Sequence, residues 1–303
     1  MDRAYEIILS SLIGDALSLG PHWVYKQDDI VSELGLGGVY TSPMSAYHPG
    51  KHAGDLTHYG DQALVLLRSI VTKSSYSFTN FCNDWRAYWE APSTRSYRDG
   101  ATTTTLTNLQ KGLPPEQAAS TSHDIAGAAR IAPLFLLNWE NDEALVAAAH
   151  SQTQLTHGSA QVIEAAEFFA RVTLAVTRGL TIPDALRTTA AQKEWQALPR
   201  TWLANAEISS QGNLTDMAAA ESLGLSCNIE KAFPTICHFL LRYPTEAAKA
   251  LTSNSLAGGD NAARGLILGM IYGALPNNTL PAEWIADLQA HSEIQALCAK
   301  LKK

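Results

Sequence analysis

The chain has 303 residues, enough for one or two domains with a large core, and 46% hydrophobic against 17% charged residues is a globular balance rather than a disordered one. A formal net charge of -7, with scattered Lys and Arg outnumbered by acids, excludes a nucleic-acid footprint but not a small anionic ligand. No apolar run reaches the roughly 18 residues of a membrane span, and no basic segment precedes an apolar core at the start, so the expected location is the cytoplasm.

Helical periodicity dominates from the first residues. Tyr5, Ile8, Leu9, Leu12, Ile13, Ala16 and Leu17 form one apolar stripe. Residues 20–60 follow without clear periodicity, rich in Gly, Pro, Tyr and His, and read as a long functional loop whose aromatics Trp23, Tyr25, Tyr40 and Tyr47 argue against disorder. Within it Asp28-Asp29 reads as a solvated pair or a helix start. A second helix is expected after Asp61, with Ala63, Leu66, Leu67, Ile70 and Val71 on one face. Further helices are expected over 77–91, 100–111, 123–137, 141–154 and 159–178, the last stopping at Gly179. Others are expected over 182–195, 228–241, 244–252, 260–274 and 281–301, with 196–228 a second irregular stretch. Pro183-Asp184 and Pro244-Thr245-Glu246 read as helix openings. Gly265, Gly269 and Gly273 lie on one helix face and predict that 260–274 is central and closely packed by another helix. Strand patterns and strand–glycine–helix units are scarce, which argues against a nucleotide-binding α/β fold. The expectation is one mostly helical domain over 1–303.

Three clusters carry polar chemistry. The first runs from Asp55 to Gln62 and includes His58, Tyr59 and Asp61 just before an apolar helix. Such a position suits an anion or an ionised carboxylate; equally, Asp61 reads as a plain helix cap. The second is Gly258-Gly259-Asp260-Asn261, ending at Arg264, where the glycines would let a ligand approach the backbone. Asp260 and Arg264 are also spaced to pair on a helix surface. Two Asp-bearing helix starts near one core would make a site between helices. The third comprises Ser122-His123-Asp124 and Leu155-Thr156-His157-Gly158, whose histidines read as structural when taken singly and whose Asp124 reads as another cap. Asp99 precedes a Thr-rich helix start and reads as another cap. Cys82, Cys227, Cys237 and Cys298 have no metal-ligand spacing and read as reduced thiols; Cys227 reads as a buried structural thiol, with a pocket-lining role as the alternative. No nucleophile elbow, P-loop or HExxH motif is present.

Taken in order, these segments resemble the ADP-ribosylglycohydrolase family, which includes dinitrogenase reductase-activating glycohydrolases and J1 crystallins. Ile13-Gly14-Asp15-Ala16-Leu17 resembles the family's first helix, and His58-Tyr59-Gly60-Asp61-Gln62 stands where the family has Thr-Asp-Asp-Thr-Gln. Gly127 to Pro133, Leu155-Thr156-His157 and Gly258 to Ala263 are similar to its later motifs, so the resemblance covers nearly the whole chain. It implies an all-α, roughly orthogonal multi-helix bundle. It also implies hydrolysis of an N- or O-glycosidic bond at the ribose C1″ of an ADP-ribosyl group, with two Mg²⁺ ions between the two Asp-bearing motifs. Here His58, Tyr59 and Gly60 align with the first Thr and two Asp ligands, and Ala262 and Ala263 with later ones. The ordinary two-Mg²⁺ site is therefore expected to be lost, with a single divalent metal on Asp61 and Asp260 conceivable and His58 admitting transition metals.

The candidate catalytic residues are Asp61, His58, Asp55 and Asp99, with Asp260 a further carboxylate. Candidate binding residues are Tyr59, Gln62, His157, Gly258, Gly259, Asn261 and Arg264, and the expected partner is a small ribosyl or ADP-ribosyl ligand. The alternative is a non-enzymatic, crystallin-like or ligand-binding relative.

Overall fold

A computed structural model describes residues 3–192 and 195–301. In chain order the first helices are α1 (Arg3–Ser18), α2 (Gln27–Leu34), α3 (His58–Lys73), α4 (Phe78–Glu90), α5 (Gly100–Gln110), α6 (Ala126–Ala129), α7 (Asp142–Gln154) and α8 (Ala160–Thr177). They are followed by α9 (Ile182–Gln192), α10 (Arg200–Gln211), α11 (Asp216–Leu223), α12 (Ile229–Arg242), α13 (Ala247–Ala257), α14 (Asn261–Gly273), α15 (Ala282–Ala286) and α16 (His291–Lys300). Among the described residues there is no strand, only isolated bridges between Ser120 and His157 and between Asp124 and Asn228. No described helix is long and apolar enough to cross a membrane.

The centre is the pair α1–α14. Every residue of α14 is buried, and so is α1 from Ile7 onward. The glycines explain how two such helices meet. A Cβ on Gly269 would stand 2.6 Å from the carbonyl carbon of Ser10 and 2.8 Å from the Cα of Ser11, and one on Gly14 would stand 2.7 Å from the carbonyl carbon of Gly265. Backbone rests on backbone, with Ser11 Oγ donating to Leu266 O at 2.8 Å across the seam.

Several expected elements differ. Helix α3 begins at His58, three residues before Asp61, because Thr57 caps it by accepting from Tyr59 N at 3.1 Å; Asp61 is therefore not a cap. The helix expected over 123–137 breaks into α6 and a 3₁₀ turn, Ala132–Leu136, because Pro133 has no N–H to continue the ladder. Loop 20–60 contains α2, which Asp28-Asp29 opens, and which buries only Ile30 and so shows no stripe. The stretch 196–228 holds α10 and α11, whose few buried residues (Ala206, Ala219 and Ala220) leave no stripe to read. The expected 281–301 helix divides into α15 and α16. Residues 193 and 194, at the end of the expected 182–195 helix, lie outside the described residues.

Candidate functional site

Asp15, in the last turn of α1, fixes the start of α3. Its carboxylate accepts from Thr57 N at 2.7 Å, Thr57 Oγ1 at 2.6 Å and Gly60 N at 3.1 Å. Burial pushes its pKa up to about 7 against the pull of the Thr57 donors. A Cβ on Gly60 would lie 2.7 Å from the Asp15 Cγ, so no side chain fits there. This anchor leaves His58 and Tyr59 facing the loop that follows α1.

Three histidines meet above it. His22, from the turn after α1, is fully buried, as is His58, and His48 from the loop is 3% exposed. His22 Nδ1 donates to Asn261 Oδ1 at 3.1 Å, and His48 Nε2 lies 3.2 Å from His58 Nδ1. His22 Nε2, His48 Nδ1 and His58 Nε2 have no hydrogen-bond partner. Burial holds His22 well below the usual imidazole range and lowers His48 to about 3, with neighbouring His58 adding to both, so these rings are neutral at pH 7. Trp23 stacks on His22 at 4.4 Å and meets Tyr47 and Tyr97 edge-on at 4.9 and 5.1 Å. Trp23 has φ +62°, a left-handed conformation that a bulky residue rarely adopts, held by its N–H donating to Gly259 O at 2.8 Å.

Three carboxylates converge on the same place. Asp99 caps α5 through Thr102 N at 2.6 Å, and its Oδ2 lies 3.5 Å from His58 Nε2. Burial raises its pKa, but His58 and Thr102 N more than offset this and hold it below the ordinary value. Asp260 occupies the cap position of α14 yet makes no cap hydrogen bond; both oxygens are buried without a partner. Its Oδ1 is 3.6 Å from His22 Nε2. Burial pushes its pKa up to about 6, partly opposed by Arg264, with Asp124 adding to the rise and His58 and Tyr59 lowering it.

Asp124 is tied most firmly. It accepts from His157 Nε2 at 2.7 Å, Ser122 Oγ at 2.5 Å and Ala126 N at 3.0 Å. Burial raises its pKa, but His157, Ser122 and Ala126 outweigh burial and hold it well below the carboxylate range. A carboxyl depressed in the folded state adds stability that is fully present above its unfolded value near 4 and is lost as pH falls below it. Asp124→Asn should therefore cost about 1–3 kcal/mol at pH 7. The gap between the urea midpoints of the two proteins should shrink at pH 3; an equal gap at both values would refute the assignment.

The other expected site residues are placed as follows. Asp61 accepts from Lys51 Nζ at 2.8 and 3.0 Å and neighbours Tyr88 and Arg68, whereas Asp260 neighbours His58, Tyr59, Asp124 and Arg264. Asp55 closes a local turn by accepting from His52 N at 2.8 Å. Gln62 Oε1 accepts from Trp85 Nε1 and Arg130 Nη1 at 2.9 and 2.8 Å, inside the core. His157 positions Asp124. Asn261 orients His22, and its Nδ2 donates to Ser255 O at 3.1 Å. Arg264 is not a surface partner of Asp260: both are fully buried, and Arg264 donates to Asn254 Oδ1 at 2.9 Å and Gly258 O at 2.6 Å. The space beside Gly258 and Gly259 is filled by the chain's own Val24 and Leu225, not left for a ligand. Cys227 is half-buried; burial and the nearby Asp260 and Asp124 push its thiol up to about 12, so it borders this cluster rather than the core. Sequence reading missed His22 and His48 as site residues, and the positive φ of Trp23 has no sequence signature.

The two-Mg²⁺ arrangement does not fit these residues. Hard cations need several oxygen ligands. Here the places that the resemblance aligns with oxygen ligands hold an imidazole, a phenol, a glycine with no room for a side chain, and two alanines; of the two carboxylates expected as possible metal ligands, Asp61 and Asp260, Asp61 is engaged by Lys51.

A family model described as ADP-ribosylglycohydrolase matches residues 1–303. Crystallin J1A of Tripedalia cystophora is 20% identical over 322 residues, covering 100% of this chain and 97% of the crystallin. A solved structure described as an ADP-ribosylglycohydrolase-related protein complex has a TM-score of 0.75 at 18% identity, covering 99% of this chain and 96% of that one.

Proposed function

The chain belongs to the ADP-ribosylglycohydrolase family, and from this premise we propose that it hydrolyses a ribosyl glycosidic bond, in an ADP-ribosyl adduct or a related ribosyl metabolite, without the two-Mg²⁺ site. The observation that carries the reading is the convergence of Asp99, Asp124 and Asp260 around His58 and Tyr59, with Asp260 alone free of hydrogen bonds. Cleavage at a ribose anomeric carbon passes through a cation-like state. Asp99 and Asp124, locked by donors, supply fixed negative charge for it, and Asp260 is the base for the attacking water. The rings of Trp23, Tyr47 and Tyr97 offer stacking faces for a nucleobase, and this cap must part to admit it.

The test is incubation with N- and O-linked ADP-ribosyl conjugates and with plain nucleosides, following released ADP-ribose or ribose by chromatography. Turnover of one of them, undiminished when Mg²⁺ is omitted, is expected. A second reading draws on the likeness to Crystallin J1A and on the burial of His22, His58 and Asp260: a ligand-binding or structural protein with a sealed polar centre. Absence of turnover across the set, with the protein folded, would favour it.

A further inference from the structure

The three histidines are arranged as ligands rather than as packing. One ring nitrogen from each of His22, His48 and His58 lies within 4.8 Å of the other two. Ligands of one tetrahedral zinc, bonded at about 2.0–2.1 Å, stand roughly 3.3 Å apart. His48 Nε2 and His58 Nδ1 already stand 3.2 Å apart. A buried imidazole nitrogen without a partner is costly, and His22 Nε2, the atom left with a lone pair by the bond from Nδ1 to Asn261, has none.

The surroundings also fix which nitrogens face inward. Ser255 O can only accept, so Asn261 presents its amide N–H₂ there and its Oδ1 to His22. His22 Nδ1 must then carry the proton, which leaves a lone pair on Nε2. Asp99 Oδ2, 3.5 Å from His58 Nε2, favours the proton there and leaves the His58 lone pair on Nδ1, toward His48. Amide and carboxylate groups behind ligating histidines are the usual outer support of a metal site. Asp260 lies to one side, 3.6 Å from His22 Nε2.

We propose that His22, His48 and His58 form a mononuclear zinc-class transition-metal site, with a fourth position open to water on the side of Asp260. Neutral imidazole suits this class of ion, and Mg²⁺, which prefers oxygen, is a poor competitor for it. A three-histidine zinc brings its bound water close to ionisation at neutral pH. Occupancy does not depend on the glycosidase reading, because it is measured without turnover.

The experiment uses full-length protein carrying no histidine tag, stripped with chelator and titrated with Zn²⁺ and, separately, Co²⁺. One ion per chain is expected, with the intense visible absorption of four-coordinate Co²⁺, and excess Mg²⁺ should not displace it. His48→Gln, in a loop, and His22→Gln should each weaken binding on the order of 100-fold or more. No binding by the native chain would overturn the proposal. So would binding that is unchanged in both variants, or a purely six-coordinate Co²⁺ spectrum. The spectrum of the native protein keeps the test decisive should a variant fail to fold.

Discussion

Asp260→Asn is expected to lower turnover of whichever ribosyl conjugate the native protein cleaves by about 10²–10⁴-fold, the range for removing a general base, while leaving the protein as stable as before or more so. The two halves of this result have one cause. Asp260 is fully buried at the head of α14, its oxygens make no hydrogen bond, and burial raises its pKa. A carboxyl raised in the folded state weakens folding as pH climbs from its unfolded value through the folded one, so at pH 7 the ionised group opposes folding. An amide of the same shape removes that charge. Steady-state rates and thermal melts of both proteins at pH 7 are the measurement. An Asn variant that loses activity only because it melts many degrees lower would show that Asp260 is structural.

The largest effect on stability is expected at the α1–α14 seam. Alanine in place of Gly269 would gain about 1 kcal/mol of helix propensity. Its Cβ, however, would meet the backbone of Ser10 and Ser11, with the Ser10 carbonyl carbon at 2.6 Å, and backbone cannot rotate away as a side chain can. Both helices are buried on all sides along this seam, so separating them displaces the core around them. A net loss of about 3 kcal/mol or more follows, at the upper end of overpacking. Urea unfolding followed by circular dichroism should show a lower midpoint for Gly269→Ala, whereas Gly112→Ala, where no atom lies within 4 Å but φ is +86°, should lose only about 1 kcal/mol. Equal midpoints for Gly269→Ala and the native chain would mean that the helices are less closely seated.

Where a helix buries one face, the sequence announced it. The stripe of α1, the Val162–Val176 face of α8 and the glycine spacing of α14 all follow from contact with one core. Exposed helices were illegible for the same reason in reverse, since α10 buries only Ala206 and the pattern needs burial to exist. Legibility of the candidate site divided along similar lines. His58 and Asp260 stand in motif-like runs at helix starts and were visible, whereas His22 and His48 stand alone in a loop, and only the folded chain brings them beside His58. Asp61 and Gln62 belong to the same run as His58, but helical geometry turns them toward Lys51 and Arg130. Adjacency in sequence is a poor guide to side-chain direction once a helix has begun.

The pairing of α1 with α14 also constrains how the chain is made. Ser11 and Leu266, joined across the seam, are 255 residues apart. At roughly 5–20 residues per second, the ribosome takes about 13–50 s to deliver the second after the first. Through that interval α3 and the 3₁₀ turn Ala132–Leu136 can already pack on α1, but the face that meets α14 lacks its partner, and loop closure over such a span is slow. The face of nascent α1 that α14 will cover thus stays open until nearly the whole described chain has been made.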